Sequence, residues 1–189
     1  MTLLIRQATS ADSVLLSELG YRIYPAHFKH LWKSESELSD FLESEYSVAA
    51  IEQSLRDSGT SWYVADLDQP IGFMKLTWEA TIPDTDISGV LLNKLYLDPT
   101  KTSNHYGQSM FSSVIELTRS HGKKFLWLEV LEQNERARRF YEKQGMRFIK
   151  DTVFETASQR SVLKIMGMGL SLSFAYRGRF VFVRQGILA

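Results

Sequence analysis

Three groups of residues in this chain have types and spacings that can do chemistry. The first is the stretch Thr102-Ser103-Asn104-His105-Tyr106-Gly107-Gln108-Ser109, set between an apolar run that reads as a strand and another that reads as a helix. The first turn of a helix has unpaired N–H groups and a partial positive charge, so it can hold an anion such as phosphate. Small residues ahead of it let the anion approach and can add hydroxyl or amide donors. The same stretch also reads as an ordinary connection, and one glycine does not decide between the two. The second group is a pair of carboxylates. Glu129 lies in the middle of a strand-like run, where a charge is unusual, and Glu79 ends an earlier one. Either can take a proton through a water, or can simply be solvated. The third is the segment Asn134–Phe148, NERARRFYEKQGMRF, where Asn134 caps a helix that turns Ala137, Phe140 and Tyr141 inward. Lys143 stands near its end as a solvated cation, and Gly145 closes the helix in a left-handed cap.

The elements that position these groups follow from hydrophobic spacing. Residues 3 to 5 form a first strand, and Ser10 caps a helix with Val14, Leu15 and Leu19 on one face. Two more helical patterns fill residues 34–58, one on Leu38, Phe41 and Leu42, the other on Ala50, Ile51 and Leu55. SWYVADL and PIGFMKLTW form a hairpin turning at Asp68-Gln69-Pro70. After the polar loop TIPDTDISG comes the strand VLLNKLYL. Strict alternation puts Leu91, Asn93, Leu95 and Leu97 on one face of it, and Leu92, Lys94 and Tyr96 on the other. The helix after the 102–109 stretch carries Met110, Phe111, Val114, Ile115 and Thr118 as its apolar stripe. KFLWLEVL is a strand, and MRFIKDTVFE and SVLKIMGM follow the Asn134 helix as two more. The expected fold is an α/β (α+β) arrangement around a mixed sheet, with a parallel strand-helix-strand crossover over residues 90–131.

Composition narrows the function. The 189 residues suit one domain, and a hydrophobic fraction of 44% with 23% charged residues suits a globular chain able to bury a core. Lys plus Arg is 22 and Asp plus Glu is 22, so no global charge bias points to nucleic acid or an anionic membrane. With no cysteine, thiolate nucleophiles, thiolate metal sites and disulfides are excluded. The expected compartment is the cytoplasm, since MTLLIRQATSAD lacks the long apolar core of a secretion signal. No metal site and no membrane span is expected.

Taken together, the segment LYL, the loop ending at Gly107, and N134-E-R-A137-R-R-F140-Y141-E-K143-Q-G145-M-R-F148 resemble the GNAT superfamily of acyl-CoA-dependent N-acyltransferases. The resemblance runs in element order from residue 1 to about 168, and its second motif is the specific one. It implies a central, mixed, mostly antiparallel sheet with helices on both faces. FLESEYSVAAIEQSLRD and FETASQRSVLKIM further resemble the bacterial spermine/spermidine N-acetyltransferases of the PaiA type. The 102–109 loop departs from the family pattern: Thr102 stands where Gln or Arg is usual, and His105 stands where the first glycine is usual.

The resemblance implies acetyl-CoA as co-substrate and a small amine, with polyamines as first expectation, as acceptor. It implies that residues 102–109 hold the diphosphate and that Leu95, Tyr96 and Leu97 meet the pantetheine arm through backbone groups. Asn134, Ala137 and Lys143 are implied as further cofactor contacts, and Tyr141 as the acid that protonates the leaving thiolate. Many relatives place a carboxylate base at the positions held here by Leu91 and Asn93, neither of which is a base. That gap keeps a second expectation open, an acyl-CoA-binding regulatory protein without catalysis, and a third, acetylation of a protein N-terminus or lysine. The acidic run Glu35, Glu37, Asp40, Glu43 and Glu45 is a solvated helix face or a rim that attracts a polyamine. Residues 169–189 read as a β-like extension, turning at Arg177-Gly178-Arg179, that can extend the sheet or pair with a second subunit as a homodimer.

Overall fold

The computed structural model describes residues 2–102 and 104–170; Ser103 and the extension from residue 171 lie outside the described residues. Seven strands, β1 (Leu4–Gln7), β2 (Thr60–Asp66), β3 (Pro70–Thr81), β4 (Ser88–Leu97), β5 (Phe125–Leu131), β6 (Arg147–Glu155) and β7 (Arg160–Gly169), form one sheet in the order β1-β2-β3-β4-β5-β7-β6. Every neighbouring pair is antiparallel except β4 and β5, which are joined by the expected parallel crossover. Helices α1 (Ser13–Phe28), α2 (Glu35–Tyr46) and α3 (Val48–Arg56) precede β2. Helix α4 (Tyr106–Ser120) links β4 to β5, and α5 (Glu135–Lys143) links β5 to β6.

The helices cover both faces. Met110, Phe111 and Val114 of α4 pack on Met74, Leu76, Leu92, Leu126 and Leu128, with Ala137, Phe140 and Tyr141 of α5 at the border of this core. On the opposite face Leu16, Leu19 and Ile23 of α1, Leu38, Leu42 and Tyr46 of α2 and Ile51 of α3 pack on Trp62, Val64 and Phe73. Burying these side chains supplies most of the folding drive, at about 1.5–3 kcal/mol for each large one.

Four expectations are corrected. The buried stripe of α1 is Leu16, Leu19, Gly20 and Ile23, while Val14 is 54% exposed. The helix runs on to Phe28, long enough for the i, i+3, i+4, i+7 series to set its buried face. Ser10 does not cap it; Ser10–Asp12 form a 3-10 turn in which the Asp12 carboxylate accepts the Thr9 N–H at 2.8 Å and pairs with Arg6. The polar loop shrinks to residues 82–87, because β3 reaches Thr81 and β4 begins at Ser88.

The fourth correction bears on the site. Lys75 pairs with Lys94, but Leu76 pairs with Leu92, so Asn93 is an extra residue and β4 is bulged there. An extra residue reverses the parity of every side chain beyond it. Leu92 therefore shares the α4 core with Leu95 and Leu97, while Leu91, Lys94 and Tyr96 are on the opposite face.

Candidate active site

The strand-to-helix loop is fixed at its start and bare at its end. Asp98, just past β4, donates its N–H to the Ile71 carbonyl at 2.7 Å. Its carboxylate accepts the N–H of Thr100 at 3.0 Å and the hydroxyl at 2.7 Å, and pairs with Arg22 of α1. These bonds hold the carboxyl below the usual range despite its partial burial. Thr102 closes the following 3-10 turn by donating its hydroxyl to the Pro99 carbonyl at 3.1 Å. The chain then enters α4 through His105, which has φ 59° and ψ 12°. This is the left-handed region that a glycine would enter freely and that histidine tolerates better than most residues. As the residue preceding α4, His105 offers no side-chain cap, so the N–H groups of Tyr106, Gly107 and Gln108 get no partner from it. A Cβ added to Gly107 would meet nothing within 4 Å. No neighbour demands a glycine there, and a bare first turn is what a diphosphate needs. Asn104 and Gln108 are exposed, Ser109 returns its hydroxyl to the His105 carbonyl at 3.3 Å, and the ring of Tyr106 leans on the core.

Beside this loop the sheet parts. Only Val90 with Leu126 and Leu91 with Trp127 join β4 to β5. Beyond them β4 follows β3 as far as Leu97, and β5 follows β7 as far as Leu131. The bulge at Asn93 gives β4 the local bend that carries it away. Since Asp98 addresses β3, the alternation of an antiparallel ladder turns Lys94 and Tyr96 to β3 as well, and turns the N–H and C=O of Leu95 and Leu97 into the wedge. The Leu97 carbonyl accepts a hydrogen bond from His27 Nε2 of α1 at 2.7 Å. Leu95 is the residue whose groups face open space. The ring of Tyr96 instead joins an aromatic cluster with Tyr24, Phe28 and Phe73, and burial pushes its phenol well above the ordinary value.

Helix α5 presents its apolar side to the wedge. Asn134 caps it, its side-chain oxygen accepting the Ala137 N–H at 3.1 Å, and Gly145 follows it at φ 98°. Tyr141 is half-buried, with its ring 5.6 Å from Phe111 and 5.2 Å from Phe140. Burial raises its phenol, so it stays a protonated donor at neutral pH, and among the described residues its hydroxyl has no hydrogen-bond partner. Lys143 is exposed at the helix end, as are Arg136 and Arg139 on the same side. Arg138 is the exception to the outward arginines, with its Nε buried.

The two carboxylates separate. Glu79 is exposed and paired with Lys123, away from the wedge. Glu129 lies two residues past the last β4–β5 pair, on the face away from α4, where alternation along β5 puts it beside Trp127. Desolvation holds its carboxyl above the ordinary range even though one side is open to solvent, and among the described residues it has no ion pair.

The acids of α2 are mostly committed within the molecule. Glu37 accepts the Ser158 N–H at 3.0 Å and the Thr156 hydroxyl at 2.7 Å, fastening the β6–β7 turn to α2. Glu45 pairs with the buried Lys94 at 2.6 Å, Glu43 accepts the Tyr21 hydroxyl at 2.8 Å, and Glu35 lies 3.4 Å from Lys29. Asp40 stays exposed. Sequence reasoning missed His27 and Arg22 as braces of the β4 end. Their partners are 70 and 76 residues away, and no local pattern announces such contacts.

Comparison with known proteins agrees with this geometry. The chain is 26% identical over 129 residues to an uncharacterised N-acetyltransferase of the pepI 3′ region of Lactobacillus delbrueckii subsp. lactis, spanning 67% of this chain and 75% of that protein. Its fold superposes on the PaiA N-acetyltransferase of Thermoplasma acidophilum, solved in complex with coenzyme A, with a TM-score of 0.65 at 21% identity, covering 87% of this chain and 98% of that one. A probable acetyltransferase of Staphylococcus epidermidis gives a TM-score of 0.69 at 10% identity, covering 90% of this chain and 100% of that one. Residues 24–146, which hold the bulged strand, the bare helix start and the Asn134 segment as far as Met146, match the profile of the Acetyltransferase (GNAT) family, and the chain belongs to that family.

Proposed function

We propose that this chain moves an acetyl group from acetyl-CoA to the primary amine of a small molecule. The observation that carries the reading is the parting of β4 from β5 beside the uncapped start of α4. Acetyl-CoA supplies the acetyl group as a thioester. The N–H groups of Tyr106, Gly107 and Gln108 bind its diphosphate, with Thr102, Asn104, His105 and Ser109 around them. Leu95 offers its N–H and C=O to the pantetheine arm as a missing strand would, and Leu97 adds its N–H. The Asn134 amide, Ala137 and Lys143 line the α5 side. Tyr141 donates its proton to the departing sulfur, a role suited to a phenol that burial keeps protonated.

Glu129 fills the gap left by Leu91 and Asn93. An alkyl ammonium has a pKa near ~10.4 and must lose a proton before it attacks. A carboxylate raised by desolvation on the acceptor face accepts that proton, through a water, better than a fully solvated one. This favours catalysis over a purely regulatory acyl-CoA-binding role. Spermidine and spermine head the acceptor panel because of the likeness to the PaiA protein, although the α2 acids that would attract them are mostly paired. The test is release of free CoA thiol from acetyl-CoA with polyamines, alkylamines, arylalkylamines and aminoglycosides. Turnover with at least one is expected; a raised melting temperature with CoA but no turnover with any amine would leave the regulatory reading instead.

A further inference from the structure

On the face away from α4, a chain of aromatic side chains crosses from one half of the parted sheet to the other. Tyr96 of β4 lies 5.6 Å from Phe28 and 6.0 Å from Tyr24. Tyr24 lies 4.8 Å from Phe41, Phe41 lies 5.2 Å from Trp32, and both Trp32 and Phe41 reach Phe154 of β6, at 5.8 and 6.2 Å. Phe28, Trp32, Phe41, Tyr96 and Phe154 are each partly buried and keep an edge open to solvent. The chain begins with Tyr96, on the strand that borders the wedge. It ends at the turn that Glu37 fastens to α2.

Charge on this face is as informative. Among the cations on this face are Lys94, held by Glu45 at 2.6 Å, Lys75 directly opposite it in the ladder, and Lys150, paired with Asp84 at 3.1 Å. Glu37 and Glu45 are spent on internal partners, Asp40 is exposed, and Glu129 is the carboxylate near the wedge. A polyamine brings two or more ammonium groups, and each needs a carboxylate or bulk water when its neighbours are desolvated. An ammonium near the wedge has Glu129; a second, farther along the rings, would find Glu37 and Glu45 already paired within the molecule. Aromatic faces take a single ammonium by cation–π attraction and its apolar body by area burial.

We propose that the acceptor is a monoamine carried on an aromatic or apolar body, seated along the Tyr96–Phe154 aromatic chain. This rests on the acetyl-transfer reading above. The step is transfer of the acetyl carbonyl carbon from sulfur to nitrogen: the ammonium gives one proton to Glu129 before attack, the C–N bond forms, the C–S bond breaks as Tyr141 protonates the thiolate, and the second proton lost from nitrogen returns Tyr141 to its neutral form.

The test compares phenethylamine and tryptamine with spermidine, spermine and ethanolamine at fixed acetyl-CoA. The arylalkylamines are expected to show kcat/KM at least about tenfold above spermidine. Trp32→Ala and Phe154→Ala should each raise the KM for phenethylamine about tenfold and leave the KM for acetyl-CoA unchanged. Phe154→Leu keeps apolar volume in the fold, and is expected to lie between the two. Spermidine preferred by the same margin, or an unchanged phenethylamine KM in folded Phe154→Leu and Trp32→Ala, overturns the inference while leaving acetyl transfer intact. CoA binding without turnover of any amine overturns both.

Discussion

Replacing Gly107 with alanine should move stability and cofactor affinity in opposite directions. The added Cβ enters open space, so it costs no packing. Gly107 is the second residue of α4, with helical φ, where alanine is the better helix former by up to ~1 kcal/mol; so near a helix end, about half of that is expected. For a domain of this size about 0.5 kcal/mol raises Tm by roughly 1–2 °C. The same methyl stands where a diphosphate must approach the first-turn N–H groups. Losing one charge-assisted bond of about 1.5–3 kcal/mol weakens CoA binding about 10–100-fold. Calorimetric titration of CoA gives the affinity, and thermal melts without ligand give the stability. In turnover, the KM for acetyl-CoA should rise while kcat stays level, the signature of lost uniform binding. Unchanged CoA affinity in a folded Gly107→Ala protein would refute the assignment of the diphosphate to the start of α4.

Tyr141→Phe should lower turnover about 10²–10⁴-fold while CoA affinity and Tm hold, because the phenol gives up no hydrogen bond; full activity in this variant assigns Tyr141 to packing alone. For Glu129, activity should rise with pH through a carboxyl pKa above the ordinary range, and Glu129→Gln should remove that limb of the kcat/KM profile. A carboxyl raised on folding withdraws stability as it ionises, from its unfolded pKa upward, so Glu129→Gln should not lower Tm at pH 7; a lower Tm there would contradict the desolvation. Gly20→Ala should destabilise by about 1–3 kcal/mol or more, read by denaturant unfolding, because its Cβ would lie 2.1 Å from Cδ1 of the fully buried Tyr46; a neutral result would mean that the α1–α2 packing is looser than described.

Element order, the parallel crossover and the α4 and α5 stripes were legible because each rests on a local period. Asn134 and Gly145 were legible for the same reason, as end signals of one helix. The faces of β4 were not. The bulge at Asn93 is set by pairing with β3, and no feature of VLLNKLYL says which residue is extra. His105 could be recognised as standing where glycine is usual, but its positive φ needed the backbone. The acids of α2 read as one charged run, yet their partners, Thr156 and Ser158, Lys94 and Tyr21, come from three other places in the chain. Glu129 was visible as an odd charge in a strand; its place beside the gap, on the face away from α4, depends on where β4 leaves β5.

The clasp between α2 and the β6–β7 turn gives the gap in the sheet a topology. At the narrow end the two halves are held by the Val90–Leu126 and Leu91–Trp127 pairs. Past the wide end, Glu37 holds Thr156 and Ser158, and Gln159 accepts the Lys33 N–H at 2.9 Å. Bounded at both ends, the gap is a window through the sheet and not a trench along it. On the proposed reading the nucleotide reaches it from the α4 side and the amine from the other, so the two never compete for one doorway, and acetylated product can depart with CoA still in place. On the same reading the acceptor has to present its nitrogen end-on to the window, as an amine on a slender body does.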